Sequence, residues 1–287
     1  MLQRSTLQLL RFHFSIFLMP VFWFALSQII SINWVNAGLA FFILHFLVYP
    51  ASNGYNSFMD RDTGSIGGIE NPLQPTKELY QVTITMNVIA ILLALIISKI
   101  FAACIALYVL FSVLYSYRKI RLKQYPFLGY AIVIIFQGAF TFYMVKHGCS
   151  DQQSLLVSPI GMIAASLLIG SFYPLTQIYQ HKQDAADGVR TISSVLGYKG
   201  TFVFCLIMMF LASIFLALYF ALNLELNLFI LTQITMSPIL IYFLWWMKKV
   251  WKDTANANFK NTMRMNVVAS ICSNAAFITI LMINQFD

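Results

Sequence analysis

The sequence predicts an all-α polytopic membrane protein, a bundle of nine transmembrane helices forming a single domain over residues 1–287. Three observations predict it. Apolar residues make up 60% of the chain and charged residues 10%, against about 25% charged in a soluble domain. Apolar runs of about 20 residues, long enough to cross a bilayer as helices, recur along the whole length. Finally, nine spans sort the basic residues by side: all of the 18 Lys and Arg except Lys99 and Lys146 fall on one face. One missed helix would scramble that alternation.

The first span, near 12–33, follows Arg4 and Arg11. It lacks a small-residue cleavage site and more spans follow, so it reads as a helix and not as a signal peptide. The second, near 36–55, runs into a polar segment over 56–81. The third and fourth, near 82–99 and 101–117, are joined tightly around Lys99 to Ala102. The fifth, near 126–146, begins at Pro126, and the sixth, near 156–178, has Pro159 close to its start; proline suits the first turn of a helix. A second polar segment, 179–200, follows the sixth. The last three spans lie near 201–222, 226–247 and 265–285. Pro20, Pro50 and Pro238 fall inside spans and Pro174 near the end of one, as kinks whose freed carbonyls neighbouring groups satisfy.

The positive-inside rule puts the N-terminus and both long polar segments in the cytoplasm, with the chain in the cell (inner) membrane. The net charge of +8 is then mostly topology and implies no nucleic-acid partner. Cys104, Cys149, Cys205 and Cys272 show no metal-binding spacing and read as small core residues.

The two polar segments are longer than packed helices need for connection, and they gather most of the acidic residues. The first reads Asn-Gly-Tyr-Asn-Ser-Phe-Met-Asp-Arg-Asp-Thr-Gly over 53–64. Asn56 and Asp60 are spaced i, i+4 and share a face if the second helix continues through them; Asp62 lies on another face. The second segment repeats the relation with Gln180 and Asp184, and Asp187 is one turn further on. Single carboxylates at helix ends are often solvated or paired with lysines. Two such pairs on one side of the membrane suggest more. Mg²⁺ prefers oxygen ligands and binds through one or two carboxylates plus substrate phosphates, so two acidic helix ends can hold Mg²⁺ against a diphosphate. Asp60, Asp184 and Asn56 are the candidate metal ligands. Arg61, Arg118, Lys119, Arg121, Lys123 and Arg190 lie on the correct side for the phosphates, and Gln180 adds a neutral ligand or donor. The basic run Tyr117-Arg118-Lys119-Ile120-Arg121-Leu122-Lys123 reads equally as a membrane anchor or as a phosphate-binding loop. Tyr55, Tyr115, Tyr173 and Tyr179 adjoin these segments.

The order of these motifs resembles the UbiA-type intramembrane prenyltransferases over nearly the full length. There is an Asn-x-x-x-Asp segment after the second span, a Tyr-Ser…Lys…Leu-Lys…Pro segment after the fourth, and an acidic segment after the sixth. The run Asn71-Pro72-Leu73 resembles a short loop element of that family. The resemblance implies that Asn56, Asp60 and Asp184 bind diphosphate through Mg²⁺ and that Lys123, with Lys119, contacts it. It implies transfer of a prenyl group from an allylic polyprenyl diphosphate to a small acceptor, aromatic ones included, within membrane lipid. Two positions depart from the family pattern: Gly64 and Gln180 stand where acidic residues are common, which lowers the expected number of metal ligands.

Two other readings compete with this one. A CDP-alcohol phosphotransferase also uses aspartates and a divalent metal, but its acidic residues form one compact motif absent from this sequence. A transporter or scaffold would place polar residues near the bilayer midplane, whereas the charges here cluster at one face.

Overall fold

The computed structural model describes residues 2–286. Eight helices are long and apolar enough to cross a membrane: α2 (Trp34–Asp60), α3 (Lys77–Ile97), α4 (Lys99–Ser116), α5 (Pro126–Gly148), α6 (Pro159–Gln177), α7 (Ile192–Leu222), α8 (Leu226–Lys252) and α9 (Phe259–Gln285). A ninth, α1, is a bent pair, Arg4–Phe17 and Met19–Ser27, with 41° between its halves. The expected nine-span bundle is therefore present, with a broken first member.

The helices run alternately up and down, and hydrogen bonds tie together the ends at each face. At one face Asn33 N–H donates to Cys149 O (2.8 Å), Gln153 to Ile97 O (2.8 Å) and Asn284 to Ser27 O (2.9 Å). These bonds collect the ends of α1, α3, α5 and α9 with the start of α2. Lys146 lies at this face, donating to Gln28 O. At the other face Gln3 N–H donates to Glu78 (2.8 Å), Leu73 N–H to Gln8 (2.8 Å) and Gln180 to Ser65 O (3.1 Å). Both polar segments lie at this second face, which we call the motif face.

Several breaks in the helices have a local cause. Between α3 and α4 the chain turns at the extended residue Ser98, whose Oγ caps α4 by accepting from Phe101 N–H (2.9 Å). Pro126 and Pro159 each stand in the first turn of a helix, as expected. Gly197 (φ +67) is non-helical and divides α7 into a short helix from Ile192 and a long one that begins just after it, close to the predicted 201. Two segments wind as π-helix, Ile43–Val48 in α2 and Ile135–Phe140 in α5. A π turn withholds carbonyls from the α ladder. In α5 these find side chains: Ser166 Oγ of α6 donates to Ile134 O (2.9 Å) and Thr141 Oγ1 to Phe136 O (2.8 Å). Gly138, within that turn, brings the α5 backbone directly against α6, because a Cβ there would fall on Ser166 backbone atoms.

The interior divides in two. A large cluster centres on Phe22, Phe24, Phe101, Phe142 and Phe277, and a smaller one on Phe202, Phe243 and Trp246 between α7, α8 and α9. Many large apolar side chains on the outer faces stay exposed, for example Ile30, Val35, Phe210, Ile234 and Ile271. Lipid is their proper solvent.

Candidate active site

Helix α2 continues past the apolar stretch to Asp60, so Asn56 and Asp60 do share a face. The helix stops there because Arg61 takes the left-handed conformation (φ 54). Ser116, at the end of α4, donates to Asn56 Oδ1 (2.8 Å) and fixes that amide. Arg121, also left-handed (φ 44), opens a short 3-10 turn over Leu122–Gln124 and points back under the helices. Its guanidinium donates to Asp60 Oδ1 (3.2 Å), to Asp187 O (3.0 Å) and to Asp187 Oδ2. Lys123 donates to Asp60 Oδ2 and to Asn56 Oδ1 (3.3 Å). The two acidic segments, far apart in sequence, are thus joined through one arginine.

The second segment departs from a simple helix extension. α6 ends at Gln177, and a separate short helix spans His181–Ala186 with Gln180 at its N-cap. The i, i+4 relation survives, since Asp184 N–H donates to Gln180 O (2.8 Å). Asp184 Oδ2 is buried with no hydrogen-bond partner. Burial pushes its pKa up to about 7; Lys123 lowers it and Asp62 and Asp60 raise it further. Asp62 accepts from Gln183 Nε2 (2.6 Å), and burial followed by repulsion from Asp60 pushes its pKa up to about 6.

These groups line the mouth of one cavity of about 300 Å³. Below Asn56 and Ser116, the facing hydroxyls of Ser52 and Ser112 bond to each other (2.6 Å). The hydroxyls of Tyr115 and Tyr173 do the same across α4 and α6. Deeper still the walls turn apolar and aromatic: Phe17, Tyr108, Phe111, Phe136 and Phe172. From Ser116 to Tyr108 the cavity follows α4 for eight residues, about 12 Å at 1.5 Å per residue.

Asn56, Asp60, Lys123, Gln180, Asp184 and Asp187 all line this cavity. Arg61, Lys119 and Arg190 do not. All three are exposed, and Arg61 lies over the Phe58 ring (6.0 Å). Of the basic residues in the two polar segments and the α4–α5 connection, only Arg121 and Lys123 line the cavity. Of the tyrosines, Tyr115, Tyr173 and Tyr179 line the cavity, while Tyr55 packs near Tyr80. Lining residues that the sequence did not mark for the site include Arg11, which reads there only as topology, and Asn53 and Asn266.

The oxygen-rich mouth fits a hard divalent cation. Asp184 Oδ2 has an unused, buried lone pair, and two neighbouring carboxyls are pushed up by burial and by each other, which a cation would relieve. Among the described residues no three His, Cys, Asp or Glu are arranged to hold an ion unaided. Asp184, Asp60 and Asn56 are the oxygen donors here that could hold such an ion together with phosphate oxygens.

Known proteins share this fold. The model of the UbiA prenyltransferase family matches residues 16–268. A UbiA homolog from Archaeoglobus fulgidus, solved bound to GPP and Mg²⁺, superposes with a TM-score of 0.71 at 17% identity, covering 96% of this chain and 99% of that one. The apo structure of a UbiA homolog from Aeropyrum pernix K1 gives 0.70 at 17%, covering 94% and 98%. A structure described as digeranylgeranylglyceryl phosphate synthase gives 0.61 at 18%, covering 97% of each chain. No curated protein matches this chain.

Proposed function

The chain belongs to the UbiA prenyltransferase family, and on that premise we propose that it is a Mg²⁺-assisted intramembrane prenyltransferase. It moves a prenyl group from an allylic polyprenyl diphosphate to a small acceptor. The observation that carries this reading is the polarity gradient of the cavity. Carboxylates and buried cations line its mouth, and aromatic rings line its floor. A diphosphate with an apolar tail has that same gradient.

Lys123 and Arg121 supply the donors for the leaving diphosphate. In the substrate-free protein they neutralise Asp60. With phosphate oxygens bound to these cations, Asp60 would be released, and Asn56, Asp60 and Asp184 would be the residues to hold Mg²⁺. Bound there, Mg²⁺ would supply Lewis-acid neutralisation of the departing charge. The cations are fixed before the reaction, by helix ends and carboxylate contacts, so little reorganisation accompanies the charge development. Tyr115 and Tyr173 stand between mouth and floor, where the allylic carbon becomes cationic and ring faces attract it. The apolar floor keeps water from that cation. The basic-residue bias supports a cytoplasmic motif face in the inner membrane. The structure described as digeranylgeranylglyceryl phosphate synthase and the homolog bound to GPP support the donor class and leave a broad range of acceptors.

The test is release of inorganic diphosphate from geranyl diphosphate by purified protein with Mg²⁺ and an acceptor panel. Asp60→Ala and Asp184→Ala should each abolish release at unchanged expression. Full activity in both variants would remove the site assignment. Substrate flux into proteoliposomes without chemical change would favour a transporter instead.

A further inference from the structure

A groove of about 760 Å³ opens on the outer surface at the motif face, between the end of α8 and the start of α9. Its lining shares no residue with the cavity described above. Lys260 and Arg264 line it from the first two turns of α9 and Tyr242 from α8, and Val267 and Val268 continue the wall into the membrane. Phe259 stands between groove and cavity. It lines the groove and packs edge-on against Tyr179 (5.3 Å), which lines the cavity.

The two cations of the groove have no partner in the protein. Both are exposed, and among the described residues no carboxylate oxygen lies within 4.0 Å of either. Glu70, from the loop after α2, also lines the groove and pairs with neither. Spaced i, i+4, Lys260 and Arg264 share a face of α9 and repel each other. They also stand near the N-terminal end of α9, where the backbone dipole disfavours cations, and no acidic residue occupies the first turn. The helix itself gains nothing from this pair.

Aromatic residues of α8 set the depth of the groove. Tyr242 OH donates to Asn261 O (3.4 Å) and Trp246 Nε1 to Asn256 O (2.8 Å), which ties α8 to the turn before α9. Tyr242 packs on Trp245 (5.2 Å), whose ring face carries Lys249 (3.9 Å). Trp245 and Trp251 stay exposed, and exposed Trp with neighbouring Lys marks the headgroup level of a bilayer. Arg264 lies five residues into α9, about 7.5 Å along its axis, and one turn beyond the Tyr242 contact. The positive-inside bias accounts for cations in loops and at helix ends. It does not call for an exposed guanidinium inside a span beside a groove, where a charge needs a partner or a path back to water. An anion with a hydrocarbon tail satisfies all of these groups, its charge at Lys260 and Arg264 and its chain along Val267 and Val268.

We propose that this groove binds one anionic phospholipid, its phosphate held by Lys260 and Arg264 and one acyl chain lying along Val267 and Val268. Basic groups at a membrane surface attract anionic lipid in general; two of them fixed on one helix face above an apolar slot make that attraction a site. The site is independent of the reaction proposed above. A lipid seated there also packs against Phe259, the residue that backs Tyr179 in the cavity wall, and it stabilises the fold in proportion to its occupancy.

The experiment uses delipidated full-length protein in a neutral detergent, with EDTA and no prenyl diphosphate. Dioleoyl phosphatidylglycerol or dioleoyl phosphatidylcholine is titrated in, and binding is read by native mass spectrometry and by Tm. We expect one phosphatidylglycerol to bind with a preference of roughly tenfold or more over phosphatidylcholine, and Tm to rise with it. Lys260→Gln combined with Arg264→Gln should weaken phosphatidylglycerol by roughly 30-fold, the loss of two cations at the membrane surface, and leave phosphatidylcholine unchanged. Val267→Trp fills the slot without changing charge and should weaken phosphatidylglycerol by roughly fivefold or more; it decides the matter where the double variant does not fold. Arg4→Gln combined with Lys77→Gln removes two other exposed cations of the motif face and should leave affinity within about twofold. Equal binding of the two lipids by wild type, or wild-type affinity in either groove variant, would overturn the proposal. So would an equal loss in the Arg4 and Lys77 variant, which would reduce the effect to surface charge, or a loss on Lys123→Gln, which would put the lipid in the cavity. The same Tm gain from inorganic phosphate alone would make the groove a free-phosphate site and overturn it too.

Discussion

Removing Arg121 should cost stability through Asp60, and a double-mutant cycle can isolate that cost. Arg121→Met removes the fork and keeps much of the side chain's apolar stem. Asp60→Asn keeps the shape of its partner and removes its charge. The two side chains are 10% and 5% exposed and their charged atoms are 3.2 Å apart. Unit charges at that distance attract by about 5 kcal/mol at an effective dielectric of 20. Desolvation of both groups and the second cation, Lys123, which still neutralises Asp60 when Arg121 is gone, reduce the net value. Charge-assisted hydrogen bonds in proteins contribute about 1.5–3 kcal/mol, so we expect a coupling of about 2 kcal/mol. The Arg121–Asp187 pair adds less, because Asp187 is 35% exposed and partly screened. The assay is thermal unfolding of purified protein in a mild detergent, with both single variants and the double variant. At about 2–4 °C per kcal/mol for a chain of this size range, Arg121→Met should lower Tm by roughly 4–8 °C. The double variant should lose about 2 kcal/mol less than the sum of the singles. Strict additivity within about 0.5 kcal/mol would refute the argument that Arg121 acts on Asp60 across this bond.

Further predictions concern other parts of the molecule. In the Mg²⁺-free protein Asp184→Asn should raise Tm at pH 8 and have little effect near pH 4: a carboxyl whose folded pKa is raised to about 7 destabilises increasingly as pH climbs from the unfolded value toward 7. A constant shift across that range would contradict its burial as the cause. Geranyl diphosphate and Mg²⁺ together should raise Tm by more than the sum of their separate effects, since each completes the other's ligand set; EDTA should reverse the gain, and strictly additive shifts would count against a shared site. Gly138→Val should lower Tm by the equivalent of about 1–3 kcal/mol, the usual cost of forcing volume into a packed contact, because the new Cβ meets Ser166 backbone; an unchanged melting curve would mean that α5 can retreat from α6. Replacing Arg61, Lys119 or Arg190 by Gln should leave donor affinity within about twofold, the expectation for surface charges outside a site, and a tenfold loss in a binding titration would bring that residue back to the cavity.

The bundle was legible because lipid imposes a uniform demand: each span must be apolar for about 20 residues, and the loops must carry charge with a sided bias. The pairs Asn56/Asp60 and Gln180/Asp184 were legible because helical spacing is local. The choice among cations was not. Whether Arg121 or Lys119 turns inward depends on a left-handed residue and a 3-10 turn that no periodicity encodes. Arg11 was hidden by the same rule that revealed the topology, since a basic residue before a first span already has an explanation. Asn53 has a sequence signal in hindsight, one turn before Asn56 on α2, whereas Asn266 on α9 meets Arg11's wall only through the tertiary packing of the first and last helices.

The π turn in α2 bears on how such a site can change over evolution. A π turn holds one more residue than the α-helical path it replaces, and each residue in an α-helix advances the rotation by about 100°. The extra residue is absorbed within Ile43–Val48, so Asn53, Asn56 and Asp60 on the motif-face side keep the aim that an uninterrupted α-helix one residue shorter would give them. A single-codon deletion inside the turn would straighten the helix and leave those side chains on the cavity. The same deletion in a helix without such a turn would rotate everything beyond it by about 100°, so the π turn is a place where α2 can lose a residue and keep its site.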